Sequence, residues 1–532
     1  MKYIIDIETN SLISGMVDYS TYPYKLKEDA NIWVISIFNL ETEEITTLIK
    51  EEITRENLSK ALKDATEIIS HNGAKFDWPV LKLFDLWDYS IGYVGEKSYL
   101  NGREIKFIDT LIWSRILYPD RFGGHSLESW GERTGEKKID FRQICIDKGY
   151  IDKKAPRGAE FEKFVPEMPT YCNGDVKTNA TVYDKLLGEA SSKTYIEPIE
   201  QELKLADLSV SRENFGFYFD NELAEWCVED LTKKMLDIKN KIDPILPMRK
   251  LNETEKKHYT PPKIQLKLDG SFSNSIERFV NKHGGSLLEK DGDKFMIIND
   301  VEYKLPYHEC LKEGIEADID NLDHVKMYLI DLGWEPTEWR FRNLTQDSKK
   351  QNLSVPKRIA ALDRWWKATI EGKYKYHRLD YFSGRENIYE QLKKDLEKNE
   401  TRPILVPTSP SVKVGVEKNL CPNLEKLGES VDFAKDFGEY LTYRSRKNVI
   451  AGGLDIEDEI DFEDVNKGWL ASYRKEDNRI PTPAIEIGAI SNRYKHSIIV
   501  NCPRITSLYG EYMRKMLTSG PNFVFFSYDF AS

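Results

Sequence analysis

The chain opens with Tyr3-Ile4-Ile5-Asp6-Ile7-Glu8-Thr9-Asn10, a short apolar run interrupted by two carboxylates two positions apart. Such a run predicts a strand over 2–7, and the strand's period of two puts Asp6 and Glu8 on one face. Two carboxylates forced together repel unless a cation sits between them. An acidic residue at a strand end can equally be a cap or a solvated turn, so the pair alone leaves both readings open. Two later segments shift the balance. Asn72, Phe76 and Asp77 form N-x-x-x-F-D after the apolar pair Ile68-Ile69, and Tyr171 precedes Asp175 by one helical turn, so both share a helix face. Asp6, Glu8, Asp77 and Asp175 would together supply oxygen ligands for two Mg²⁺ or Mn²⁺ ions about 3.5–4 Å apart, the arrangement that serves phosphodiester hydrolysis.

These three segments, in this order, resemble the exonuclease motifs of the DEDD proofreading nucleases, in the branch with Y-x-x-x-D. F-I-D-T-L-I-W-S-R-I-L at 107–117 and G-H-S-L-E-S-W-G at 124–131 are similar to phage DNA polymerases of family A, and the resemblance runs to the last residue. It implies an α/β ribonuclease H-like exonuclease domain that removes mispaired nucleotides from a 3′ end, with the four carboxylates as metal ligands. Tyr171 would orient the attacking water and Asn72 would contact the substrate.

A length of 532 residues suggests two to four domains, each able to bury a core. The six cysteines, Cys145, Cys172, Cys227, Cys310, Cys421 and Cys502, show no C-x-x-C pair and no metal-ligand spacing with histidine, and read as reduced thiols. The four residues before Asp6 after the initiator methionine are too few for a signal sequence, and no stretch reaches the roughly 20 apolar residues of a membrane span. The expected location is cytoplasmic, in a phage-infected bacterial cell. A net charge of −12 does not exclude a nucleic-acid partner, because acids gather in metal sites and on solvated faces. Basic and aromatic residues interleave at 339–342 (W-R-F-R), 373–378 (K-Y-K-Y-H-R) and 440–448 (Y-L-T-Y-R-S-R-K-N). Such patches can be solvated helix faces, or they can contact phosphates and stack on bases.

Strands are expected over 2–7, 32–39, 45–49 and 105–108, and helices over 55–64, 78–83 and 110–118, the last capped by Asp109. The nuclease domain is placed at 1–190, and the text turns helical from Glu197. Gly216 is expected to permit a tight turn between helix and extended chain in R-E-N-F-G-F-Y-F-D. A mainly α thumb region is placed at 191–455, with a small α+β insertion at about 255–335 that can hold a processivity factor. The proline-rich segment 401–422 reads as a long loop. The helix 433–450, with Tyr440, Tyr443, Arg444, Arg446 and Lys447, is expected to return toward duplex DNA.

From residue 456 the chain resembles the start of a polymerase palm. G-A-I-S-N-R-Y-K-H at 488–496 and I-V-N-C-P at 499–503 are similar to the family A segment that touches template and primer, with Arg493 as phosphate contact. The match continues through Arg514 to N-F-V-F-F-S-Y-D-F-A-S, where Asp529 would be a palm metal ligand. The fingers helix and second palm aspartate of the family are not in this sequence, and one carboxylate cannot hold two Mg²⁺ ions. The expectation is no polymerase activity for this chain alone, an exposed apolar run at 523–528, and a second polypeptide that completes the enzyme. Primer-template and single-stranded DNA are the implied partners. A non-catalytic primer-template-binding subunit, in which the acids are structural, is the alternative. An independent repair exonuclease leaves the palm-like text from Gly488 onward unexplained.

Overall fold

A computed structural model describes residues 1–121, 123–136, 138–190, 195–251, 253–346, 353–370, 388–398, 403–415, 419–453, 467–488, 494–500 and 502–525. They form two compact units. The first comprises Met1–Trp226, Val449–Gly452 and Lys467–Ser532, and the second Cys227–Asn448 and Gly453–Asn466.

The first unit is mixed α/β. Its central sheet uses β1 (Lys2–Thr9), β2 (Ile32–Asn39), β3 (Ile45–Ile49), β4 (Glu67–Ser70) and β5 (Lys106–Asp109), in the order β5-β4-β1-β2-β3. β1 is parallel to β4, and β4 to β5, whereas β2 is antiparallel to both β1 and β3. Ile4, Ile5 and Ile7 are all at most 4% exposed, because both faces of β1 are covered. Ile5 and Ile7 pack with Ile35, Ile37 and Trp78 on one side. Ile4 packs with Val182 and Leu186 on the other. The register with β2 slips between Glu8 and Thr9, a bulge of the kind that re-aims side chains beside functional sites.

The helices α1 (Arg55–Ala61), α2 (Asp77–Leu83), α3 (Thr110–Leu117), α4 (Leu127–Thr134), α5 (Phe141–Asp147), α6 (Met168–Glu189) and α7 (Ile196–Phe215) surround this sheet in sequence. β2 and β3 have the expected bounds, while β1 extends to Thr9 and β5 starts one residue late because Lys106 pairs with Glu67. Asp109 caps α3 as expected, its carboxylate accepting from the N–H groups of Leu111 and Ile112. α7 stops at Gly216, where φ is 65° and an added Cβ would lie 2.2 Å from the Ile480 carbonyl oxygen. Only glycine fits that approach. The strand Phe217–Phe219 then pairs on one side with Arg479–Ile480 and on the other with Leu517–Thr518, so residues from the far end of the chain join this unit.

In the second unit, the antiparallel strands Ser286–Lys290, Asp293–Ile298 and Val301–Lys304 carry the helix Asn274–Lys282, with Ile276 and Val280 packed against Met296 and Ile298. These residues, within the span 255–335, share a small core. The expected loop at 401–422 is corrected: Leu405–Pro410 is a strand paired with Trp339–Asn343, and Pro422–Gly428 is a helix. Pro407 and Pro410 are tolerated because each strand of a two-stranded sheet keeps a free edge, where a missing N–H leaves nothing unpaired. W-R-F-R is therefore strand, and K-Y-K-Y-H-R lies outside the described residues. The predicted helix at 433–450 is Asp432–Ala451. Phe523, Val524 and Phe525 are 44%, 90% and 55% exposed and belong to no strand, and the rest of that run lies outside the described residues.

Candidate functional site

β1 and α6 build the site. The C-terminal half of β1 presents Asp6 and Glu8, and α6 brings Tyr171, Cys172 and Asp175, all buried, against the same strand. Single ligand atoms of Asp6, Glu8 and Cys172 lie within 4.8 Å of one another. The Cys172 Sγ donates to Asp6 Oδ2 at 3.4 Å. Asp175 Oδ2 is 2.7 Å from Lys138 Nζ, which also stands 4.8 Å from the centre of the Tyr171 ring. The Tyr171 ring stacks on Phe141 of α5, with ring centroids 4.8 Å apart and planes inclined by 22°.

Asp77 opens α2 and is 3% exposed; its Oδ1 accepts from the Ile7 N–H at 3.2 Å. The H-N-G-A turn before it is shaped by Asp109, whose two oxygens accept from the N–H groups of Asn72 at 3.0 Å and Ala74 at 3.1 Å. Asn72 adopts a left-handed φ of 70°. At Gly73 an added Cβ would approach the Trp78 indole to 2.7 Å, so glycine is required for the turn to seat.

Burial and mutual repulsion set the electrostatics. Burial, then the Asp175 charge, pushes Asp6 up to about 7. Burial and the Asp6 charge hold Glu8 and Asp77 well above the ordinary carboxylate range. Asp175 is raised by burial, with Lys138 opposing. The Tyr171 hydroxyl is raised by burial and by Asp175, so it stays protonated and can donate. Burial and the Asp6 charge also raise the Cys172 thiol, which makes it a donor to Asp6 rather than a thiolate ligand. What remains is a hard, all-oxygen donor set with surplus negative charge, which fits Mg²⁺ or Mn²⁺.

A cleft of about 670 Å³ opens over these groups. Asp6, Glu8, Asn72, Tyr171 and Asp175 line it, whereas Asp77 does not reach its wall. Lys75, Arg115 and Lys138 also line it, together with His71 and Glu486, and none of these was singled out from the sequence. Lys75 stands inside the N-x-x-x-F-D segment at an unspecified position. Its Nζ is 2.7 Å from Glu213 Oε1 and 3.1 Å from Glu486 Oε1, partners 138 and 411 positions away. No local pattern could have named them.

The remaining expected residues fall elsewhere. In the second unit, Arg444 is 2.9 Å from Asp320 and Lys234 Nζ stands 5.9 Å from the Tyr443 ring centre, with Arg446 and Lys447 on the same helix. The Arg514 guanidinium donates to the carbonyls of Pro503 and Cys502 and does not line the acidic cleft. Arg493 and Asp529 lie outside the described residues.

No protein-family model matches the chain. It is 24% identical over 434 residues to the DNA-directed DNA polymerase of Escherichia phage T7, covering 68% of this chain and 54% of that protein. It is 24% identical over 372 residues to the DNA-directed DNA polymerase of Enterobacteria phage T3, covering 58% and 48%. The chain spans about half the length of the curated relatives it matches. Among solved structures it is similar to the POL domain of Pol1 from M. smegmatis in complex with DNA primer-template and dNTP. That match has a TM-score of 0.43 and 10% identity, covers 98% of this chain and 56% of the other, and is too distant to support an inference.

Proposed function

Starting from a chain related to the phage family A DNA polymerases, we propose that it is the part of a phage replicative polymerase that carries 3′ to 5′ proofreading exonuclease activity. The observation that supports this reading is the meeting of Asp6, Glu8, Asp175 and Tyr171 in one cleft, from a strand and a helix more than 160 positions apart. The sheet order, a parallel trio β5-β4-β1 extended on one edge by β2 and β3, each antiparallel to its neighbour, supports the reading of a ribonuclease H-like domain. Asp6, Glu8, Asp175 and, by a shift of its side chain, Asp77 would hold divalent ions, which would activate water and stabilise the leaving 3′ oxygen.

The chain's own groups do the rest. Tyr171, protonated and clamped by Phe141, presents a fixed hydroxyl beside Asp175 to orient the attacking water. Lys75, Arg115 and Lys138 line the cleft with positive charge for the phosphodiester backbone. Asn72, held by Asp109, faces the same space for a substrate contact. Selectivity need not read base identity, because a mismatched end unpairs at a lower cost, by up to a few kcal/mol. Tyr443, Arg444, Arg446, Lys447, Arg493 and Arg514 are the proposed primer-template contacts, and nucleotidyl transfer belongs to the proposal for the whole enzyme. Among the described residues no helix is long and apolar enough to cross a membrane.

The test uses the purified chain with a 5′-labelled primer on a longer template, Mg²⁺ and all four nucleotides, read on a denaturing gel. Stepwise shortening from the 3′ end is expected. A folded chain that leaves the primer intact overturns the nuclease reading, and extension would show that the chain polymerises without help.

A further inference from the structure

We propose that the Lys138 ammonium is a built-in counter-ion of the carboxylate cluster, one that competes with a divalent cation for Asp175 and is displaced when the cation binds. The inference rests on the metal-site reading above. Lys138 Nζ is 2.7 Å from Asp175 Oδ2, and the two side chains are 25% and 6% exposed. The same Nζ lies over the Tyr171 ring at 4.8 Å, and the residue lines the cleft shared with Asp6 and Glu8. An ammonium is a compact point charge on a flexible four-carbon stem, so it can neutralise a carboxylate and still move away. Lys138 belongs to no helix or strand; it follows α4 and precedes α5, with no regular element to hold its stem in one direction.

Lys75 provides the contrast within the same cleft. Its ammonium is held by Glu213, Glu486 and the Ala484 carbonyl, none of which belongs to the carboxylate cluster. Lys75 is anchored by its own partners, whereas the ion-pair partner of Lys138 is a member of the cluster itself. A divalent ion at Asp175 and the Lys138 ammonium therefore seek the same oxygen. Whatever fraction of molecules keeps Lys138 in place is unavailable to the ion and lowers its apparent affinity by that fraction.

Mn²⁺ titration followed by electron paramagnetic resonance tests this without reference to cleavage. Lys138→Met is expected to bind Mn²⁺ about tenfold more tightly than the parent chain, and Lys138→Arg, which keeps a cation, to stay within about twofold of it. In EDTA, Lys138→Met should melt below the parent, and saturating Mn²⁺ should close that gap. Parent and Lys138→Met binding Mn²⁺ equally, or the variant more weakly, overturns the inference and leaves the metal site standing. Neither protein binding Mn²⁺ overturns the metal site and the inference together. If Lys138→Met does not fold in EDTA, Lys138→Gln carries the same comparison with a polar side chain.

Discussion

Two groups of acids in this chain meet their cations in opposite proportion. In the first unit, Asp6, Glu8, Asp77 and Asp175 lie close enough to repel one another, and the Lys138 ammonium is the ion-pair partner of Asp175 alone. In the second unit, Lys239 pairs with Asp243, Asp318 and Asp320, while Asp320 also takes Arg444 at 2.9 Å and the Tyr440 hydroxyl at 2.7 Å. Asp318 and Asp320 are 53% and 47% exposed, against 6% for the Asp175 side chain. Burial is the largest single influence on Asp318 and raises it, but the hydrogen bonds from Lys239 and the Asp320 N–H and the Lys239 charge together outweigh it, and the carboxyl ends below its ordinary range. The first cluster carries charge that folding alone leaves uncompensated, and the second is compensated within the chain. Buried carboxyls that resist ionisation in a cleft are what make the first cluster the proposed site, and matched surface charge is a fastening.

The widest separation of the two clusters should come from cleavage. Asp6→Ala or Asp175→Ala is expected to reduce exonuclease rate on the order of 10³-fold or more, about 4 kcal/mol of barrier, with circular dichroism unchanged. Retained cleavage in both variants would remove the distinction. Next comes acid stability. Burial, aided by Lys138 and Arg115, lowers His71 to about 3 from an ordinary 6.5. Between those values the unfolded chain binds more protons than the folded one, so stability rises with pH and is lost as pH falls from 6.5 toward 3. Urea unfolding at pH 7 and pH 4 should show the parent losing about 3 kcal/mol more than His71→Gln.

Metal addition is expected to separate the clusters by a little less. Mg²⁺ or Mn²⁺ at a hundred times its dissociation constant should stabilise the parent by about 2.7 kcal/mol, read as a rise in melting temperature. Asp6→Asn combined with Asp175→Asn should abolish that rise, and Asp320→Asn should leave it intact. The smallest effect belongs to the second cluster itself. Asp320→Asn should cost about 1 kcal/mol or less, as for other exposed pairs, and leave exonuclease rate unaltered. A large loss of cleavage there would mean that the two clusters are not functionally distinct.

Much of the first unit is legible because its signals are local. The apolar runs of β1, β2 and β3 and the Asp109 cap each depend on residues a few positions apart. The proline-rich strand Leu405–Pro410 was not legible, since its pairing with Trp339–Asn343 comes from more than 60 positions away and overrides the turn chemistry of P-T-S-P. Lys138 and Glu486 were invisible for a related reason. A single lysine or glutamate carries no periodicity, and nothing in its neighbourhood states which carboxylate or ammonium it will meet.

The sequence by itself determined which side chains share a face: Asp6 with Glu8 along a strand, Tyr171 with Asp175 along a helix, because backbone geometry repeats every two or 3.6 residues whatever surrounds it. Tertiary structure decided how far apart those faces stand, how dry they are, and which cations reach them. It turned Asp77 toward the Ile7 N–H, set Cys172 as a donor to Asp6, and brought Lys138 onto Asp175 and Glu486 into the cleft wall. Burial and charge proximity arise only when segments far apart in the chain are packed together, so the chemistry of the site is written in the fold as much as in its residues.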